Sequence, residues 1–122
     1  MEINDLTYKI NGAAFEVHSI LGPGFLEKVY ENALCIEMEH MGLIVEKQVP
    51  LKVRYRDKIV GDYFADLLVE NKVIVELKTV DSIKRIHEAQ VINYLKATGL
   101  NIGLILNFKS EKLEIKRIVH NL

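Results

Sequence analysis

The run Val73-Ile74-Val75-Glu76-Leu77-Lys78 is apolar enough for a strand at the heart of a sheet, yet it carries two charged residues. The preceding Asp66-Leu67-Leu68-Val69 and a polar Glu70-Asn71-Lys72 turn make the whole stretch read as a β-hairpin. Side chains alternate along a strand, so Glu76 and Lys78 share a face with Ile74, and Val73, Val75 and Leu77 take the other. Charges in such a position are costly to bury unless they are paired or bind a metal. Any fold built around this hairpin has to satisfy them or use them.

The rest of the chain supplies elements to surround it. Leu6, Ile10, Ala13, Ala14, Val17, Ile20 and Leu21 recur at helical spacing and predict an amphipathic helix capped by Asn4 or Asp5. Gly22-Pro23-Gly24 ends it. A second helix is expected over 26–41, with Gly42 as its left-handed stop. Val49, Leu51, Val53 and Tyr55 alternate with Lys52, Arg54 and Arg56, which predicts a half-buried strand with a basic outer face. Further strands are expected over 59–69 and to about Thr79. A third helix over 83–98 is expected to be capped by Asp81 or Ser82 and closed by Gly99, with two more strands over 102–108 and 113–119. The order is α-α-β-β-β-α-β-β, an α/β (α+β) arrangement without internal repeats or linkers, and 122 residues suit one domain spanning 1–122.

Composition narrows the class. No apolar run approaches the roughly 20 residues of a membrane span, the first residues lack the layout of a signal peptide, and the lone Cys35 makes no internal disulfide. These features suit a cytoplasmic protein. The net charge of −1 conceals a split: residues 1–46 hold eight acids and two bases, and residues 47–122 hold nine acids and fourteen bases. A basic face on the second part is compatible with a nucleic-acid partner, and equally with ordinary surface solvation.

Within the hairpin, Asp62, Phe64, Asp66 and Leu68 fall on one face of the second strand. Strands lie about 5 Å apart, so Asp66 can stand beside Glu76. Two carboxylates that close repel unless a cation lies between them, and oxygen ligands of this kind select magnesium or manganese. Lys78 would then stabilise charge on a phosphate. The bland alternative is a structural Glu-Lys pair at a sheet edge. On the third helix Gln90 and Tyr94 stack one turn apart, suited to phosphate contacts or simply to packing on the sheet; His87, nearby, is expected to be structural. Glu27 sits in the first turn of the second helix, where the macrodipole favours a carboxylate, and Tyr30 shares its face.

The run from Leu21 to Leu34, containing Gly24-x-x-Glu27-x-x-Tyr30, closely resembles the signature of the GxxExxY protein family of the PD-(D/E)XK nuclease superfamily. Asp66, then Glu76-x-Lys78, then Gln90-x-x-x-Tyr94 follow in that family's order, so the resemblance covers nearly the whole chain. It implies a restriction-endonuclease-like core, a mixed central sheet flanked by helices. It also implies Asp66, Glu76 and the backbone carbonyl of Leu77 as metal ligands for Mg2+ or Mn2+, with Glu27 as an additional acid, Lys78 as the catalytic lysine, and Tyr30, Gln90 and Tyr94 in support of the site or substrate. Ala65 stands where the superfamily's name has proline. The expected activity is metal-dependent hydrolysis of phosphodiester bonds, in DNA, during repair, recombination or defence. The alternative is a catalytically silent module that binds nucleic acid or serves as a subunit of a larger assembly; the first two helices are apolar enough to permit a homo-oligomer or a protein partner.

Overall fold

The computed structural model describes residues 1–122. Helices α1 (Ile3–Leu21) and α2 (Glu27–His40) precede strands β1 (Val45–Tyr55), β2 (Lys58–Val69) and β3 (Val73–Lys78); α3 (Arg85–Thr98), β4 (Ile102–Asn107) and β5 (Glu114–Val119) follow. The strands form one sheet in the order β1-β2-β3-β4-β5. Neighbours are antiparallel except β3 and β4, which run parallel because α3 crosses over between them. The expected element order and mixed sheet are both present.

Three layers result. Leu6, Ile10, Val17, Tyr30, Leu34 and Met38 of α1 and α2 pack on Leu67, Val69, Val73, Val75 and Leu77. On the other face Val91 and Leu95 of α3 pack on Ile74, Ile105 and Ile118. Strands β3 and β4 are covered on both sides, which is why they are apolar without alternation. Gly103 of β4 lets α3 close down: a Cβ there would lie 2.5 Å from Val91 Cγ1.

Several boundaries differ from expectation. Helix α1 starts at Ile3, so Asn4 and Asp5 lie inside its first turn and neither caps it. Asn4 Oδ1 instead accepts a hydrogen bond from Arg117, at 3.0 Å. Helix α3 starts at Arg85; neither Asp81 nor Ser82 caps it. His87, the third helical residue, accepts through Nδ1 from the backbone N–H of Lys84, the residue before the helix, at 2.9 Å, while Asp81 is drawn to Lys109 at 2.6 Å. Imidazole thus takes the place of the Glu or Gln side chain that makes the returning bond of a capping box. Gly42 and Gly99 do end α2 and α3 with positive φ.

The largest departure concerns β1 and β2. The β2–β3 ladder covers only Leu67↔Val75 to Val69↔Val73, so most of the β1–β2 hairpin projects past β3. Leu67 packs under α1 and α2, yet Ala65 and its neighbour Leu51 pack with α3. Residues two apart face the same way in an ideal strand, so the hairpin turns over between Leu67 and Ala65. Gln48, at φ +53°, is the β1 residue opposite this turn. The turn-over parts Asp62 and Phe64 from Asp66, contrary to simple alternation; Asp62 pairs with Lys52 at 2.6 Å. Beyond Leu51 both faces of the arm meet solvent, so Val53 and Tyr55 are exposed where a half-buried strand was expected.

Candidate active site

Where β2 and β3 part, side chains continue the ladder. The Asp66 N–H donates to Glu76 Oε1 at 3.1 Å, and the Leu77 N–H donates to Asp66 Oδ2 at 2.9 Å. In a strand the N–H and C=O of one residue point to the same side. The Leu77 carbonyl therefore faces the fork beside Asp66.

The fork is electrostatically unfavourable as a bare pair of acids. Glu76 is only 7% exposed. Burial, then the charge of Asp66, push its carboxyl up to about 8. Burial likewise raises Asp66, against the opposing Leu77 N–H, and the negative charge of Glu31 adds to the rise. Lys78 is half-buried on the same edge, and its charge favours the ionised form of both acids; it is in no salt bridge.

No three His, Cys, Asp or Glu side chains gather closely enough to hold a cation unaided. The donor set nevertheless fits a hard divalent ion: two desolvated carboxylates whose repulsion a cation relieves, and one carbonyl. Magnesium typically takes one or two protein carboxylates and leaves its remaining positions to water and phosphate.

The other four predicted site residues are placed differently from one another. Tyr94 joins the fork from α3: burial raises its phenol, and the charges of Glu76 and Asp66 raise it further. Its ring lies 6.4 Å from that of Tyr63. Gln90, one turn earlier, is exposed and makes no hydrogen bond within the chain. Glu27 does not meet the acid pair; Oε1 accepts from the Thr79 N–H at 3.3 Å and the Thr79 hydroxyl at 3.2 Å, next to Lys78.

Tyr30 faces inward. It is fully buried and stacks on Phe108 with centroids 4.5 Å apart. Its hydroxyl donates to the Gly22 carbonyl at 2.6 Å and accepts from the Phe25 N–H at 3.2 Å. This ties down the Gly22-Pro23-Gly24-Phe25 loop, in which Gly24 at φ +111° has a conformation that side chains disfavour. The Gly-x-x-Glu-x-x-Tyr element is thus a brace: Tyr30 holds the loop, the loop sets the start of α2, and Glu27 clamps the end of β3. Tyr30→Phe removes the hydroxyl that both backbone groups use, so it should cost about 1–3 kcal/mol in urea-induced unfolding; an unchanged midpoint would show the loop holds itself.

Two residues outside the motifs also build the site. Glu31 is buried on α2, its carboxylate held by Lys28 at 2.8 Å and by the Gln48 amide at 2.8 Å. Its place one turn after Glu27 was a signal available in the sequence. Asn107, at the end of β4, binds both backbone groups of Val80 at 3.0 and 2.8 Å and donates to Glu114 at 3.0 Å, fixing the loop after Lys78. Nothing in the sequence marks it, because its partners are distant backbone atoms. The surface grooves here border that loop, lined by Thr79, Ser82, Lys84 and Lys109, and not the acid pair itself.

A mixed sheet flanked by helices, with paired acids at the end of its central hairpin and a lysine two residues on, defines a nuclease-like fold of the restriction-endonuclease kind. The chain belongs to the PD-(D/E)XK nuclease superfamily, whose family model matches residues 4–118. Among solved structures, the crystal structure of SSO0001 is similar, with a TM-score of 0.59 and 19% identity over 79% of this chain and 51% of that one. The likeness concerns the fold, and this chain spans about half the length of that protein. No curated protein matches.

Proposed function

We propose that this chain is a metal-dependent nuclease of the GxxExxY type that hydrolyses phosphodiester bonds in DNA. The observation that carries the reading is the buried Asp66–Glu76 pair at the strand fork, beside a lysine that no acid neutralises. In this reading Asp66, Glu76 and the Leu77 carbonyl hold magnesium or manganese, which when bound supplies Lewis acidity and a more acidic water. Lys78 offsets negative charge on the phosphate undergoing attack. Glu27 and Tyr30 keep the end of β3 in place, Tyr94 closes the α3 side of the fork, and Gln90 is free to meet substrate.

The alternative, a module that keeps the fold without turnover, draws on one observation: Glu27 is engaged with Thr79 and no third acid joins the pair. The two readings part on incubation with single-stranded, duplex and branched DNA plus magnesium or manganese. Cleavage that chelator stops supports the nuclease. No cleavage on any substrate, together with no manganese uptake in calorimetric titration, sinks it.

A further inference from the structure

The projecting β1–β2 arm carries none of the proposed metal ligands, yet it adjoins the fork. Its α3-facing side carries Leu51, Val53 and Tyr55 from β1 and Tyr63 from β2: Leu51 pairs with Tyr63 and Val53 with Gly61, and the register shift after Val53 puts the extra residue, Val60, in β2, so β1 alternates through to Tyr55. Leu51 is buried, but Tyr63 is 53% and Tyr55 64% exposed. The Tyr63 ring leans over Gly61, where a Cβ would lie 3.4 Å from it. Tyr63 is also the neighbour of Tyr94, whose phenol feels the charges of Glu76 and Asp66. Rings at Tyr94, Tyr63 and, past Val53 and Gly61, Tyr55 thus lead away from the acid pair along one face.

The distal end of this face is cationic. Lys58 pairs directly across from Tyr55 and so shares its face. The Arg56 guanidinium lies 5.8 Å from the Tyr55 ring centroid. Neither is in a salt bridge: Asp62 is taken by Lys52 on the opposite face, and Asp57, in the turn between them, pairs with neither. Exposed rings interleaved with free cations match what unpaired nucleotides need, faces to stack on and charges for phosphates. A stacked duplex offers no base faces. A second copy of the chain fits less well, because the tip keeps a net positive charge, Arg56 and Lys58 against Asp57, and a two-fold contact would bring two such tips together.

We propose that Tyr63 and Tyr55, with Arg56 and Lys58, grip single-stranded DNA and lead it to the Asp66–Glu76 fork, so the preferred substrate is a single strand or an unpaired tail. The proposal rests on the nuclease reading for its ligand. Each base stacked on an aromatic ring contributes about 1–3 kcal/mol, on the order of 5- to 150-fold in affinity.

The test is fluorescence anisotropy in chelator, so that nothing is cut, with labelled oligothymidylate and a blunt duplex of equal length at two salt concentrations. The native chain should bind oligothymidylate more tightly than duplex. Tyr55→Ala and Tyr63→Ala should each weaken oligothymidylate binding at least 5-fold and leave duplex binding unchanged. Arg56→Ala should weaken both and lower the salt dependence. Equal affinity for the two DNAs, or aromatic variants that bind as the native chain does, would overturn the proposal. So would gel-filtration dimers that Tyr55→Ala dissolves while DNA binding is untouched, since the arm would then join copies. The two readings fail separately. Retained single-strand binding without metal-dependent cleavage counts against the nuclease alone, and cleavage indifferent to the arm variants counts against the arm alone.

Discussion

Lys78→Met should lower the rate of DNA cleavage at saturating manganese by about 10²- to 10³-fold, the scale of losing one preorganised charge at a reacting centre. Methionine keeps the packing of the lysine stem and removes only the ammonium. In the fold, that ammonium lies beside the acid pair without a partner of its own, so its charge is available to a phosphate. Manganese should still raise the melting temperature of Lys78→Met, because the proposed ligands Asp66, Glu76 and the Leu77 carbonyl remain. Glu76→Gln should lose cleavage and the manganese effect together. That contrast separates a group acting on substrate from one holding the ion. Lys78→Met cleaving at the native rate would reduce Lys78 to a neighbour of the carboxylates.

Metal-free protein should become less stable as pH rises from about 4.5 to about 8, the reverse of the usual carboxylate trend. Glu76 ordinarily ionises near 4.5, but in the folded chain keeps its proton to about 8. Across that window the unfolded chain binds fewer protons than the folded one, so unfolding releases a proton and higher pH favours it. The slope is ~1.4 kcal/mol per pH unit for one proton, large against a total stability of about 5–15 kcal/mol. Asp66, also raised, contributes the same sign. Below the window the Glu76 contribution is fully present; above it, fully lost.

Manganese must displace that proton, so it should stabilise the protein far more at pH 8 than at pH 5. At a hundredfold excess over its dissociation constant the gain is about 2.7 kcal/mol. Glu76→Gln, with no proton to release, should flatten the pH dependence relative to the native chain and abolish the manganese effect. Chemical denaturation from pH 4 to 9, with manganese and with chelator, reads all of this. A native profile that rises with pH in chelator would remove the buried-acid account.

Much of the fold is legible locally because its signals are local. The three-to-four spacing in α1, the glycines at the ends of α2 and α3, and the all-apolar β4 depend on neighbours along the chain, and the structure follows them. The helix starts were less legible, since the choice among Asn4, Asp5, Asp81 and Ser82 turned on which of them had better partners elsewhere. Asn4 met Arg117 and Asp81 met Lys109, each across the tertiary fold.

The candidate site divides along the same line. By itself the sequence determined that a carboxylate and a lysine lie on one face of a central strand, that Asp66 sits one hairpin away, and that these residues follow a nuclease order. Only the tertiary structure decided what surrounds them. It parted β2 from β3 at Leu67↔Val75, so that Asp66 and Glu76 face a fork in place of a closed ladder. It buried Glu31 behind them, turned Tyr30 inward as a brace, and carried Tyr63 out beside Tyr94 on an arm that alternation alone places on the wrong face. The physical reason is that alternation is a property of one strand, whereas burial, strand divergence and the turn at Gln48 arise from packing several elements against each other at once.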